Sequence, residues 1–151
     1  MQPDKNFLKV HELMELAIRF EEDSVSYYRQ MRGHVDDDAV LDLLETLERQ
    51  EEEHRRILQD FELGPGPYPM LQYGPSFALN MPELKHENPG LDELLDVAIE
   101  REVRSVQIYR NTSGQVFGKL ADLLNELAGF EAEHEIKLKD LRTYLQGRDW
   151  V

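Results

Sequence analysis

The residues of this chain best suited to chemistry are Glu51 and His54, in the run LLETLERQEEEHRRIL, and Glu131 and His134, in LLNELAGFEAEHEIKL. On a helix, residues three apart are neighbours, so each Glu-x-x-His presents a carboxylate and an imidazole side by side. The same face is otherwise apolar: Val40, Leu44, Leu47, Glu51, His54, Leu58 and Phe61 step by four and three, the spacing of a core-facing seam. Two polar groups thus stand where the pattern calls for core side chains. Buried charge is costly unless it is paired or coordinates a metal.

The seams of three further segments show how such groups are positioned. Helix 1 is expected from about Asn6 to Arg32, with seam Phe7, Val10, Met14, Ala17, Glu21, Ser24, Tyr28 and Met31. Glu21 is the only acid on that seam. A second stripe, Leu13, Phe20 and Tyr27, widens the apolar arc and requires a cover, either a later segment or a second subunit. After a short turn with an Asp as N-cap, helix 2 is expected over about 38–62 and must fold back on helix 1 as an antiparallel hairpin. Glu21 lies 15 residues before Asp36 and Glu51 lies 15 after it, so the two acids reach the same height.

Residues 63–89 hold every proline but Pro3 and no sustained periodicity, which excludes a long helix. An irregular stretch of 27 residues is unusual in a compact domain. A crossover running the length of a bundle accounts for it: extended chain covers about 3.3 Å per residue, and a helix of some 25 residues is only about 38 Å long. Helix 3 then starts at about Gly90, with acids in its first turn and seam Leu91, Leu95, Ala98, Glu102, Ser105, Tyr109 and Thr112. A turn within 112–118 leads to helix 4, ending near Gln146, with seam Leu120, Leu124, Leu127, Glu131, His134, Leu138, Leu141 and Leu145. The tail 147–151 is too short for a fifth helix. One domain results, made of hairpin 6–62, crossover 63–89 and hairpin 90–146.

The two hairpins repeat one another. At an offset of 81, AIRFEEDSVSYYR (17–29) and AIEREVRSVQIYR (98–110) share seven of 13 residues, among them Glu21/Glu102, Ser24/Ser105 and Tyr28/Tyr109. At an offset of 80, Leu44, Leu47, Glu51, His54 and Leu58 meet Leu124, Leu127, Glu131, His134 and Leu138. Each hairpin therefore supplies one seam Glu and one seam Glu-x-x-His, and all six groups point inward at one level of a four-helix bundle. Four carboxylates so placed repel one another strongly. Two divalent cations would cancel their charge, +4 against −4, and give each group a ligand role.

Composition bounds the alternatives. With 151 residues, 40% of them hydrophobic, the chain can bury a core. It contains no cysteine, so disulfides, zinc ribbons, Cys-ligated iron and thiol chemistry are excluded. The net charge of −14 gives no basic footprint for nucleic acid and disfavours a membrane surface. That charge concentrates small cations instead. The N-terminal run MQPDKNFLKVHELMEL reads as neither a secretory signal nor a membrane span, and a cytoplasmic location is the default expectation. His11, His34 and His86 match nothing in the repeat and are expected at the surface.

This set of motifs, AIRFEEDSVSYY and AIEREVRSVQIYR with EEEH and EAEH, resembles the rubrerythrin branch of the ferritin-like di-iron carboxylate proteins over about residues 6–146. The resemblance implies an all-α, ferritin-like four-helix bundle with a long crossover between helices 2 and 3. It implies metal ligands Glu21, Glu51, His54, Glu102, Glu131 and His134: Glu51 and Glu131 bridging two metals, Glu21 and Glu102 as terminal carboxylates, and one His on each metal. Tyr28 and Tyr109 would donate hydrogen bonds to ligand carboxylates on neighbouring helices, although plain core aromatics would occupy the same seam positions. The implied cofactor is two iron ions, with manganese or a mixed pair also suited to these donors. No catalytic residue is expected beyond the ligands.

Departures from the family are equally specific. Rubrerythrins proper carry an extra Glu three residues after the third-helix ligand, and a Cys-rich tail; here the position is Ser105, and there is no cysteine. Electrons would have to come from another protein or from Fe(II) itself. The haem-binding Met of bacterioferritin is replaced by Glu52, so no haem is expected. The expected function is oxidoreductase chemistry of Fe(II) pairs with peroxide or dioxygen. The alternatives are an iron-handling ferroxidase, carrier or capsule cargo protein, and a bundle that a metal merely holds together. A homo-oligomer, with a dimer favoured, is the expected assembly.

Overall fold

A computed structural model describes residues 7–74 and 79–148. Four helices carry the fold: α1 (Val10–Arg32), α2 (Asp38–Asp60), α3 (Leu91–Ser113) and α4 (Gly118–Arg148), with two short strands, β1 (Phe7–Leu8) and β2 (Leu71–Gln72). The chain is all-α, and its helices pack as a four-helix bundle.

Local chemistry sets the helix ends. Asp37 caps α2 as expected, its carboxylate accepting from the Ala39 and Val40 amides at 2.9 and 3.2 Å. At the start of α1 the Glu12 carboxylate accepts from the Lys9 amide at 2.8 Å. Gly118 opens α4 at φ +69°, a conformation that glycine adopts without a Cβ penalty. The expected boundaries move most at the N-terminus. Phe7 belongs to no helix: it sits in β1, paired antiparallel with Gln72, while Leu8 pairs with Leu71. Helix 1 therefore starts at Val10, and Asn6 lies outside the described residues. Helix 2 stops at Asp60, and α4 takes in Gly147 and Arg148, leaving 149–151 of the tail outside the described residues.

Two apolar clusters fill the bundle. The first joins Val10, Leu13, Met14, Ala17 and Phe20 of α1 to Leu58, Ile108, Tyr109, Leu120, Leu124 and Leu127. The second joins Tyr28 and Met31 to Val40, Leu44, Leu47, Leu94, Leu95, Leu138 and Leu141. The first cluster thus collects the beginnings of α1 and α4 and the ends of α2 and α3, and the second collects the opposite ends.

The segment joining α2 to α3 adds Leu63, Leu71, Tyr73, Leu79 and Met81 to the first cluster and Leu84 to the second. It covers the second stripe of α1, since Leu13 and Phe20 pack in the cluster that holds Leu71 and Tyr73. Tyr27 is covered differently, by the Arg101 guanidinium 4.9 Å from its ring centroid. The Gln115 side chain pins the same segment to the α3–α4 turn, accepting from the Gln72 amide and donating to the Gln72 carbonyl, both at 2.6 Å.

Candidate metal centre

The seam spacing places one acid per helix at mid-height, between the two apolar clusters. Glu21 comes from α1, Glu51 and His54 from α2, Glu102 from α3, and Glu131 and His134 from α4, all six of them buried. The flanking seam residues are small: Ala17 and Ser24 beside Glu21, Ala98 and Ser105 beside Glu102, all buried. Space that leucines would fill elsewhere is here left for carboxylates and imidazoles.

Ligand atoms converge in two overlapping groups. One contains Glu21, Glu51, His54 and Glu131; the other contains Glu51, Glu102, Glu131 and His134; within each group the donor atoms lie within 4.8 Å of one another. Glu51 and Glu131 belong to both. The imidazoles turn Nδ1 inward: His54 Nδ1 is 3.1 Å from Glu131 and 3.4 Å from Glu51, and His134 Nδ1 is 2.8 Å from Glu51 and 3.4 Å from Glu131. Their rings lie nearly parallel, with centroids 5.9 Å apart.

The tyrosines obey the same internal symmetry. Tyr28 of α1 donates to Glu102 of α3 at 2.8 Å, and Tyr109 of α3 donates to Glu21 of α1 at 2.7 Å. Each hydroxyl is buried and fixes one oxygen of its carboxylate. The other oxygen of each, Oε2, makes no hydrogen bond, nor do Glu51 Oε1, Glu131 Oε2 and His134 Nδ1, whose close contacts are with one another, His134 Nδ1 lying 2.8 Å from Glu51 Oε1. Orphaned buried acceptors are costly and rare. Four carboxylate oxygens and one imidazole nitrogen crowded around one centre without hydrogen bonds fit divalent cations, and these clusters could hold such ions.

Electrostatics in the metal-free state give the same picture. Burial raises the Glu21 and Glu102 carboxyls well above the ordinary carboxylate range, and the charges of Glu131 and Glu51 raise them further. Burial would also raise Glu131, but its close polar contacts with Glu102, His134 and His54 hold it well below that range. Burial opposes charging of the imidazoles; the surrounding carboxylates overcome it and push His54 up to about 12 and His134 up to about 9. Four groups of the layer, Glu21, Glu102, His54 and His134, are thus shifted toward their protonated forms.

Two close neighbours of the centre are absent from the set expected from sequence. Gln50 accepts a hydrogen bond from His134 Nε2 at 2.8 Å, and the Phe130 ring packs 5.2 Å from the His54 ring. The usable signal was their correspondence at the repeat offset of 80, where a carboxamide in one half meets a phenyl ring in the other. Ser105 is buried beside Glu102, so no carboxylate stands at that position. His11 and His34 are exposed as expected; His86 is exposed and pairs with Glu93 at 2.6 Å.

No family model matches the chain, and no curated protein or solved structure matches it either. No described helix is long and apolar enough to cross a membrane.

Proposed function

We propose that this chain is a ferritin-like di-iron protein of the rubrerythrin kind, an oxidoreductase in which Fe(II) pairs react with peroxide or dioxygen. The observation that carries the reading is the pair of four-residue ligand groups sharing Glu51 and Glu131. Shared carboxylates suit bridging ligands, Glu21 with His54 and Glu102 with His134 suit terminal ones, and carboxylate and imidazole donors suit iron or manganese. The placement of the helix ends supports the ferritin-like assignment: α2 ends among the first apolar cluster and α3 begins among the second, at opposite ends of the bundle.

The chemistry supplied by such a pair is two-electron reduction, in which hydrogen peroxide and two protons give two waters while two Fe(II) become two Fe(III). The protein's own groups prepare the place. Tyr109 and Tyr28 orient Glu21 and Glu102, so that the free oxygen of each faces the centre. The two apolar clusters close the layer above and below, which strengthens every charge interaction inside it. A separate donor protein, or further Fe(II), returns the electrons.

The test measures metal per chain after anaerobic Fe(II) loading, then compares oxidation by peroxide and by air, with Glu51→Ala and Glu131→Ala as controls. Two irons per chain, lost in both variants, are expected. Less than about one metal per chain, unchanged by either substitution, rejects the site, because binding must depend on its ligands. Turnover with peroxide and a reductant while both irons stay bound is the oxidoreductase outcome. Accumulation or release of Fe(III) identifies iron as the substrate and the protein as an iron handler.

A further inference from the structure

The internal repeat makes the two halves of the centre equivalent in their ligands but not in what supports them. On one side, His134 Nε2 donates to Gln50 Oε1 at 2.8 Å, and the His134 side chain is 1% exposed. On the other, the position matching Gln50 is Phe130, whose ring lies 5.2 Å from His54 at 50° and offers no acceptor. Among the described residues no hydrogen bond to His54 Nε2 is present, and that side chain is 5% exposed.

An imidazole that binds a cation through one nitrogen keeps its proton on the other, and an acceptor there fixes both tautomer and ring plane. Resting on the di-metal reading above, we propose that Gln50 is a positioning residue that makes the two cation sites unequal, the His134 site filling first and more tightly. Gln50 holds the Nε2 proton, so Nδ1 stays turned toward Glu51, Glu102 and Glu131, where its lone pair becomes available once a cation displaces the Nδ1 proton. Among the described residues His54 has no acceptor at Nε2, and its ring meets the exposed Phe130 side chain instead. Two cations sharing Glu51 and Glu131 also repel each other, which separates the binding steps in any case. The diagnostic is therefore how each step responds to Gln50.

Anaerobic calorimetric titration of the whole chain with Co(II), alongside its visible absorption, reads both steps without any turnover. Gln50→Leu is expected to weaken the tighter step by about 10–100-fold while the weaker step moves by less than about threefold, the usual scale for losing such a supporting hydrogen bond. Phe130→Gln, which gives His54 the missing acceptor, should tighten the weaker step about tenfold. Indistinguishable steps in the native chain overturn the proposal, as do equal losses in both steps or in neither for Gln50→Leu. If Gln50→Leu does not fold, an unchanged weaker step in Phe130→Gln overturns it alone. Absence of Co(II) binding in the native chain, or binding that survives Glu51→Ala, removes the di-metal reading as well. Unequal sites failing while two Co(II) still bind leaves that reading intact.

Discussion

The middle layer of the bundle and the apolar layers on either side of it are built from the same seams, yet they bury opposite kinds of side chain. Leu44, Leu47, Leu124 and Leu138 are fully buried, and each contributes a few kcal/mol by leaving water. One turn away on the same helices, Glu51, His54, Glu131 and His134 are buried as well, and Glu51 Oε1, Glu131 Oε2 and His134 Nδ1 make no hydrogen bond. A sequence optimised for stability alone would continue the leucines. The difference marks the middle layer as the part of the core that could hold metal ions, with the outer layers stabilising it.

The largest effect expected from this contrast is that of metal on stability. A cation bound only by the folded state stabilises it by about 4 kcal/mol per site when free metal exceeds Kd by about a thousandfold. Its pH dependence should run opposite to that of the metal-free layer. His54 and His134, raised from 6.5 to about 12 and about 9, contribute stability that is fully present below pH 6.5 and is lost as pH rises through those values. Glu21 and Glu102, raised above 4.5, act in the same sense from pH 4.5 upward. Glu131, held below 4.5, acts oppositely, its contribution being lost as pH falls. The metal-free protein should therefore lose stability from about pH 5 towards pH 9, whereas metal affinity should grow as ligands lose protons. Urea midpoints with chelator and with Mn(II) across that range check both slopes; a metal-free midpoint that climbs with pH would break the contrast.

That layer was legible because its signal is periodic. Glu21, Glu51, Glu102 and Glu131 interrupt apolar seams at matching heights in both halves, and helical spacing alone places them together. What escaped depends on contacts between distant segments. Phe7 has helical spacing relative to Val10, but its backbone pairs with Gln72, and a strand of two residues leaves no pattern to read. Arg101 lies on the flank of α3, where a solvated side chain is the ordinary expectation; instead it is buried over Tyr27, within 3.4 Å of Asp23 and 3.3 Å of the Pro82 carbonyl. Gln50 precedes Glu51 in sequence, yet its partner is a histidine on another helix.

A smaller effect tests the outer layers. Leu124→Ala empties a fully buried position in the first cluster and should cost about 2–5 kcal/mol, the range for such cavities. Because Leu124 lies outside both ligand groups, metal stoichiometry should stay unchanged when measured well below the lowered melting temperature. Loss of metal in a variant that remains folded would show that the layers are not separable.

The smallest effect probes the groups that belong to both regions. Tyr109 packs in the first apolar cluster and Tyr28 in the second, and each sends its hydroxyl into the middle layer, to Glu21 and Glu102. Tyr109→Phe keeps the ring in the apolar layer and removes only the donor, leaving Glu21 Oε1 buried beside its already orphaned Oε2. The expected cost is about 1–3 kcal/mol in the metal-free protein, the range for a buried polar atom left unsatisfied. Tyr28→Phe should cost about the same, since the repeat places it equivalently. A cost within about 0.5 kcal/mol for both, as for an ordinary surface substitution, would make the tyrosines plain core aromatics and move the boundary of the polar layer inward to the six carboxylate and imidazole groups. Unequal costs would instead show that the asymmetry seen at Gln50 and Phe130 extends to the carboxylates.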